Sequence, residues 1–252
     1  MRPSAAIEDA RPMPGEPGAI YSRALEQHAV FVKTLAYCGV ETVLLEPVGT
    51  DPLEVAAADA AIAFEDGALI ARPTVMSRRD EAARMQAEFA RIDVPLAGNI
   101  VAPGLLDGGD VLLAGTTAFV GIGGRGNRIG RVGFAGVALA HGYRVVEVVL
   151  ASGVPSLRSV ASAVADDTVV LGAEKVDVGA FAGFTTILLE RGESLAAGVL
   201  CLGDRHVLAD IRYRTSLKLM QKAGLLVEAI DLYEFAKIGI SPSMLALALK
   251  RE

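Results

Sequence analysis

Cysteine is the side chain best suited to nucleophilic catalysis, and this sequence has only two of them. Cys38 lies in the apolar run LAYCGV and Cys201 in the apolar run GVLCLG. A thiol becomes reactive where its surroundings stabilise the thiolate, and an apolar run does not provide such surroundings. We therefore expect both cysteines to behave as small buried hydrophobic residues.

The three histidines are the next candidates for proton transfer. His28 falls on the apolar stripe of a predicted helix, His141 precedes a glycine where a predicted helix ends, and His206 lies where a turn meets a strand. Each position favours a structural or solvated role. No spacing of cysteine and histidine suits zinc, so no metal site is predicted.

One glycine-rich segment, GIGGRGNRIG (121–130), superficially resembles a dinucleotide-binding loop. It lacks the βαβ context in which an acidic residue follows at the end of a second strand. No phosphate-binding loop of the P-loop type is present either. We therefore predict no cofactor.

Composition and charge exclude several classes of partner. The net charge is -6 and no block of lysine or arginine stands out, which disfavours nucleic acid and anionic membranes as partners. No stretch approaches the ~18 uninterrupted apolar residues of a membrane span. With two cysteines and no apolar leader, the chain is predicted to be soluble and cytoplasmic.

Hydrophobic periodicity indicates the elements that would carry a site. A helix is predicted over 21–38, a buried strand over 40–47, and a hairpin from the runs 60–64 and 68–73. A second amphipathic helix is predicted over 77–92, with Ser77 as its cap.

The same scheme then recurs along the chain. Further elements are a hairpin over 108–123, a helix over 127–141, a strand over 143–150, a strand over 168–172, a strand over 205–210, a helix around 215–223 and a strand over 225–230. A unit of hairpin, helix and strand that returns every ~40–50 residues predicts a single α/β domain with short inner strands. Residues 1–19 are rich in proline and glycine and are expected to be largely extended or loose, leaving 20–252 as the domain.

Four segments, in their order along the chain, resemble dimethylarginine dimethylaminohydrolases of the pentein, or amidinotransferase, superfamily. They are ALEQHAVFVKTLAYCGVETVLLEP (24–47), ALIARPTVMSRRDE (68–81), GGDVLLAG (108–115) and GRGNRIG (124–130). The similarity runs from about residue 21 to the carboxyl end. It implies a propeller of five ββαβ modules around a central polar channel, and a homodimer.

Enzymes of that family attack a guanidinium carbon with a cysteine thiolate, while a histidine moves protons. The resemblance places the segment KIGISPSMLALAL (237–249) where the family has its nucleophile, with Ser243 at a serine and Met244 at the cysteine. A thioether has no proton to lose. The resemblance therefore implies that the nucleophile is absent.

The histidine of the family corresponds to a position in SGVPSLRSVASAV (152–164), where this sequence has Ser156. A serine hydroxyl cannot serve as a base near neutral pH without another base beside it. The resemblance therefore implies that the proton shuttle is replaced as well.

The ligand-binding positions are better preserved. By the resemblance, the guanidinium-binding carboxylates correspond to Asp59, Asp107 (a glutamate in the family) and Asp110, and the carboxylate-binding arginines to Arg78 and Arg125. Asn127 follows Arg125 as it does in the family. Simpler roles stay open for two of these residues, because Arg78 could be a solvated charge at a helix start and Asp59 could cap a turn.

Three functions follow from this pattern. The first is a non-catalytic protein that binds a small amino-acid or guanidino-type ligand in the channel. The second is a repurposed hydrolase, lyase or isomerase that uses carboxylates and serines in place of the thiol. Its candidate catalytic residues are Asp107, Ser156 and Ser243, with Asp59, Asp110 and Ser241 as further groups. The third is a purely structural role with no ligand in the channel.

Overall fold

Six helices and twelve strands form the framework of the computed structural model, which describes residues 1–47, 51–203 and 205–249. The helices are α1 (Tyr21–Tyr37), α2 (Glu81–Arg91), α3 (Arg128–Ala140), α4 (Arg214–Lys222), α5 (Tyr233–Ala236) and α6 (Pro242–Leu245). The strands are β1 (Ala61–Ala63), β2 (Ala68–Ile70), β3 (Leu96–Asn99), β4 (Val111–Ala114), β5 (Thr117–Ile122), β6 (Arg144–Val149), β7 (Ala161–Ala165), β8 (Thr168–Gly172), β9 (Thr185–Leu189), β10 (Leu200–Gly203), β11 (His206–Asp210) and β12 (Leu226–Ile230).

The strands form four sheets of three strands, all with the same topology. In each sheet the first two strands form an antiparallel hairpin and the third strand pairs parallel to the second. A parallel third strand requires a crossover, and α2, α3 and α4 provide it in three of the sheets. The two hairpins and the recurring unit predicted from the sequence are confirmed.

The sheet of β7, β8 and β9 departs from this scheme, because its crossover contains a 3₁₀ helix, Val178–Phe181, where the other three sheets have an α-helix. Five modules were expected, and the described residues form four sheets. The strand predicted over 40–47 is wrong: its described residues form no strand, and Val43 is half exposed. A strand needs a neighbour along its length, whereas the backbone bonds of this segment are scattered, with Val40 N donating to Leu35 O (2.9 Å) and Arg2 N donating to Leu45 O (3.0 Å).

The amino-terminal segment is more ordered than its composition suggests. Residues Ala5–Asp9 form a 3₁₀ helix, and Ile7, which is 1% exposed, belongs to the same hydrophobic cluster as α1. The backbone N–H of Met13 donates to Lys237 O (2.7 Å). Outside this 3₁₀ helix the residues of 1–19 form no helix or strand, and Ile7, Ala10 and Ala19 are buried.

Helix α2 begins later than predicted. Ser77 lies in a preceding 3₁₀ turn, Met76–Arg78, and its hydroxyl donates to Asp51 Oδ2 instead of capping the helix. Asp80 occupies the cap position without a side-chain bond. The displaced start matters for the site, because it places Arg78 inside a turn.

The inner strands of the sheets face one another around the centre of the molecule. Strand β7 lies against both β4 and β10. A cavity of ≈ 40 Å³ lies among these inner strands, and its lining includes Arg158, Cys201 and Ser243. None of the helices in the described part of the chain is both long and apolar enough to cross a lipid bilayer.

Candidate functional site

Asp59 lies at the centre of a buried cluster of charges. It ends a 3₁₀ turn, Ala57–Asp59, just before β1, and it is 0% exposed. Its Oδ2 accepts hydrogen bonds from Arg78 Nη1 (2.6 Å) and Arg125 Nη1 (3.0 Å). Two predicted arginines thus converge on one predicted aspartate, which excludes a simple turn cap as the role of Asp59.

Arg78 is 0% exposed, so it is not a solvated charge at a helix start. Its Nε and Nη2 donate to Glu81 Oε1 and Oε2, both at 2.8 Å, and Nη2 also donates to Ala56 O. A paired fork of this kind fixes the plane of a guanidinium. Arg78 is therefore held by Glu81 and in turn holds Asp59.

Asp107 is also fully buried, and one face of its carboxylate is fixed. Its Oδ1 accepts from Thr74 N (2.7 Å), while its Oδ2 lies 3.9 Å from Arg125 Nη1. Burial raises the pKa of Asp107 to about 7, and repulsion from the nearby Asp59 carboxylate adds to this shift. Asp107 can therefore change its charge near neutral pH.

Two glycines allow these carboxylates to approach closely. A Cβ on Gly109 would lie 2.3 Å from Asp59 Oδ1 and 3.4 Å from the Met244 methyl carbon. A Cβ on Gly108 would lie 2.2 Å from Ala58 O. The GGD sequence therefore brings the backbone before β4 against the turn that carries Asp59.

Two carboxylate oxygens of this cluster have no hydrogen-bond donor. Asp59 Oδ1 and Asp107 Oδ2 are buried, and neither accepts a bond from any residue that the structure describes. Buried acceptors left without a donor cost free energy. The pair is therefore suited to a cationic ligand with several N–H groups.

Asp110 connects three loops. Its Oδ2 accepts from the backbone N–H of Arg125, and its Oδ1 accepts from Leu157 N (2.9 Å). Burial raises its pKa to about 6, although both backbone N–H groups favour the charged form. A Cβ on Gly124 would lie 2.4 Å from this carboxylate. Asp110 therefore fixes the loop that carries Arg125.

Asn127 is the N-cap of α3. Its Oδ1 accepts from Gly130 N (2.8 Å) and Leu105 N (3.0 Å), and its Nδ2 donates to Pro103 O (2.9 Å). Asn127, two residues after Arg125, thus joins the start of α3 to the 103–105 loop.

The two positions that the resemblance aligns with the reacting residues of the family lie in contact. Ser156 Oγ donates to Met244 Sδ over 3.3 Å, and both side chains are buried. Ser243 points to other partners: its Oγ donates to Arg158 O (2.9 Å) and lies 3.1 Å from Ser241 Oγ. Ser243 is therefore held by the backbone of the 157–159 turn.

The cysteines and histidines make their contacts away from these aspartates. Both cysteines are half-buried, not fully buried as predicted, and Cys201 Sγ contacts Val164 O at 3.8 Å. His28 is buried in α1. His141 Nδ1 lies 2.6 Å from Asp66 Oδ1.

Sequence reasoning did not identify two members of the cluster, Glu81 and Thr74. Glu81 stands within an amphipathic helical pattern and resembles a surface charge, although its spacing of three residues from Arg78 is that of a helical ion pair. Thr74 contributes mainly its backbone N–H, which the sequence does not reveal.

Comparison with known proteins identifies relatives over most of the chain. The chain is 35% identical over 227 residues to an N(G),N(G)-dimethylarginine dimethylaminohydrolase of Streptomyces coelicolor, covering 90% of this chain and 86% of that protein. No family model matches the chain.

Solved structures are similar over almost the whole fold. A dimethylarginine dimethylaminohydrolase in an adduct with S-methyl-L-thiocitrulline has a TM-score of 0.89 and 25% identity, covering 98% of this chain and 96% of the other. A Pseudomonas aeruginosa enzyme of the same name, a cysteine-to-serine mutant complexed with citrulline, has a TM-score of 0.88 at the same identity and coverage. By fold and by sequence, this chain belongs to the dimethylarginine dimethylaminohydrolase family.

Proposed function

We propose that this protein binds a small guanidino or amino-acid ligand between Asp59 and Asp107, and that it does so without thiol-dependent hydrolysis. The observation that carries the proposal is the pair of buried acceptors without donors, Asp59 Oδ1 and Asp107 Oδ2. A guanidinium is a planar cation with five N–H donors in arginine-like compounds, and it suits two converging carboxylates.

The ligand class is supported by the relatives. Two proteins of the same fold were solved with citrulline and with S-methyl-L-thiocitrulline, which both have an amino-acid end and an end shaped like a guanidinium. Transferred to this chain, such a ligand would place its planar end at the two aspartates.

Arg125 gives the proposal a specific geometry. Its guanidinium, 18% exposed, lies with Nη1 on Asp59 and close to Asp107, where the ligand's guanidinium would go. We propose that an incoming guanidinium displaces Arg125 from Asp59, and that the freed arginine then binds the ligand's carboxylate. Arg78 takes no direct part, because Glu81 and Asp59 already engage it, and it acts by positioning Asp59.

Asp110 and Asn127 are proposed to position Arg125 without contacting the ligand. Asp110 holds the backbone of Arg125 and Asn127 anchors the following helix, so both would act by positioning the Arg125 loop. We therefore assign ligand contacts to Asp59, Asp107 and Arg125.

The absence of thiol chemistry rests on Met244 and Ser156. A thioether cannot ionise, and in the described part of the chain no histidine forms a hydrogen bond with the Ser156 hydroxyl that contacts it. A variant with Cys38→Ser and Cys201→Ser contains no thiol at all. We expect it to bind the ligand as tightly as the parent does.

Calorimetric titration tests the binding. The ligands are L-arginine, its methylated forms, citrulline and ornithine, and the proteins are the parent, Asp107→Asn and the control Asp66→Asn, whose side chain is 70% exposed. A hydrogen bond to a charged group contributes about 1.5–3 kcal/mol, so Asp107→Asn should weaken guanidinium binding by roughly 10–100-fold. Equal affinities in the parent and Asp107→Asn would contradict the site, as would the absence of binding for every ligand.

A second function is favoured by the two raised pKa values. Asp107, at about 7, and Asp110, at about 6, lie in the range where carboxyl groups exchange protons at physiological pH. A repurposed hydrolase or lyase would use Asp107 as acid and base, with Ser156 and Ser243 as hydroxyl groups near the ligand. This function predicts that the variant without thiols forms product and that Asp107→Asn forms none. NMR spectra of the ligand measure product formation. A ligand unchanged after prolonged incubation would exclude it.

A further inference from the structure

Three side chains far apart in the sequence meet at the edge of the sheet formed by β10, β11 and β12. Cys38, His206 and Glu228 each have a ligand-type atom, and these atoms all lie within 4.8 Å of one another. His206 Nε2 and Glu228 Oε1 are 3.2 Å apart. The three are sulfur, nitrogen and oxygen donors, the three donor types found at protein zinc sites.

The sheet itself brings two of them to one face. Strands β11 and β12 run parallel, with His206 opposite Leu226 and Leu208 opposite Glu228. Side chains alternate between faces along a strand, so His206 and Glu228 point to the same side, one step apart.

Helix α1 brings the third donor to that side. Leu208 and Ile230 on this face pack in one cluster with Phe31 and Leu35 of α1. Cys38 is the residue directly after α1, at its C-cap. The end of the helix therefore places a sulfur atom beside the histidine and the glutamate.

The opposite face of the sheet packs against α4. Val207 and Ala209 form a cluster there with Leu217 and Met220 of α4. The polar donors are thus segregated on the face covered by α1, at its partly open edge, where the side chains of His206 and Glu228 are 22% and 33% exposed.

We propose that Cys38, His206 and Glu228 form a binding site for a zinc-class divalent transition metal, separate from the Asp59 and Asp107 cluster. Three protein ligands leave a fourth tetrahedral position to solvent, and a partly open rim gives the ion access. Bond lengths of about 2.0–2.3 Å separate the donors of a tetrahedral site by roughly 3.3–3.8 Å. Small side-chain rotations therefore bring the observed cluster to binding geometry.

Such a site would join the amino-terminal helix to the last sheet. Cys38 follows α1, whereas His206 and Glu228 lie on β11 and β12. A metal bound only by the folded protein raises its apparent stability in proportion to the logarithm of metal concentration. The proposal therefore predicts a higher midpoint of thermal unfolding with Zn²⁺ and a return to the original midpoint with chelator.

The chain supplies matched controls for the test. Cys201 is the second of its two cysteines, and it lies half-buried against Val164. His141 forms a second histidine–carboxylate pair, with Asp66 at 2.6 Å, and no cysteine completes that pair in the part of the chain that the structure describes.

The experiment is a titration of chelator-treated, reduced full-length protein with Zn²⁺ and with Co²⁺. We expect one equivalent bound per chain, and a Co²⁺ complex with a thiolate-to-cobalt charge-transfer band. Cys38→Ser, His206→Gln and Glu228→Gln should each weaken binding by at least about tenfold. Cys201→Ser and His141→Gln should bind as the parent does.

Several results would overturn the proposal. They are a parent protein that binds less than one equivalent, a Co²⁺ spectrum without the thiolate band, and full affinity in Cys38→Ser. The cobalt spectrum is read on the parent, so it decides the matter even where a variant fails to fold. If Asp107→Asn weakens metal binding as much as Cys38→Ser does, the proposal is also contradicted, because the metal would then lie in the aspartate cluster.

Discussion

The hydroxyl of Ser156 donates a hydrogen bond to the sulfur of Met244 over 3.3 Å, although 88 positions separate the two residues in the sequence. One precedes the 3₁₀ turn Leu157–Ser159 and the other lies in α6. Both were aligned with reacting residues of the family by sequence resemblance alone. Their contact means that two independent local alignments lead to one place in the fold.

This contact predicts the result of reinstalling a thiol. Met244→Cys together with Ser156→His should give a protein that forms a covalent adduct with S-methyl-L-thiocitrulline, because a thiolate with an adjacent imidazole becomes nucleophilic. Intact-protein mass spectrometry measures the adduct. Met220→Cys, at a buried position in α4, is the control and should stay unmodified. Equal modification of both proteins, or of neither, would contradict this assignment of Met244.

The raised pKa of Asp107 predicts a pH-dependent stability. The folded protein holds this proton up to pH about 7, whereas an unfolded aspartate releases it near its ordinary pKa of about 4. The contribution of this group is therefore fully present below pH about 4 and lost as the pH rises to about 7. Relative to the parent, Asp107→Asn should gain about 1–3 kcal/mol of unfolding free energy between pH 5 and pH 8, measured with urea. A pH-independent difference would be inconsistent with the shift.

The same proton predicts how ligand affinity varies with pH. A guanidinium binds the ionised form of Asp107, so affinity for L-arginine should rise about tenfold per pH unit below pH about 7 and level off above it. Calorimetry between pH 5 and pH 8 measures this slope. Asp107→Asn is the control and should lose most of it. An affinity that falls with rising pH would rule out an ionised Asp107 in the complex.

Arg78 is predicted to matter for folding. Arg78→Ala leaves Glu81 buried without its partner and leaves Asp59 paired with Arg125 alone, which should cost about 3–5 kcal/mol of unfolding free energy or prevent folding. Arg91→Ala removes the exposed partner of Glu88 and should cost no more than about 1 kcal/mol. Chemical unfolding compares the two. Similar small losses in both variants would show that the buried network carries little free energy.

Arg125 is predicted to act differently on two ligands. Arg125→Ala removes the side chain that covers Asp59 and also the proposed anchor for the ligand's carboxylate. L-arginine should therefore bind at least about tenfold more weakly, whereas methylguanidine, which has no carboxylate, should bind more tightly than it does to the parent. Calorimetry with both ligands measures this crossover. If both ligands weaken together, Arg125 does not compete for the aspartates.

The elements predicted well from sequence are those whose pattern is local. Helix α1 and the hairpin of β4 and β5 follow from periodicity and a turn, since their own residues determine them. Strand β3, with the sequence LAGN, was not predicted because it forms only by parallel pairing with β2. The apolar segment 40–47 failed for the converse reason, since a strand-like composition does not form a sheet without a neighbouring strand.

Several residues of the site could be predicted from the sequence, but their contacts could not. Asp59, Arg78 and Arg125 were found through their resemblance to a family, but only the fold shows that both arginines bind the same carboxylate oxygen. Likewise, no spacing in the sequence indicates the cluster of Cys38 and His206. Its members come from a helix end and two strands, which only tertiary packing brings together.

The position of bound L-arginine in a crystal of this protein tests the central claim most directly. We predict that its guanidinium lies between Asp59 and Asp107, with N–H groups on Asp59 Oδ1 and Asp107 Oδ2 and with Arg125 turned to the ligand's carboxylate. We also predict no covalent bond to the protein. Arginine bound elsewhere, with Arg125 still on Asp59, would contradict the account.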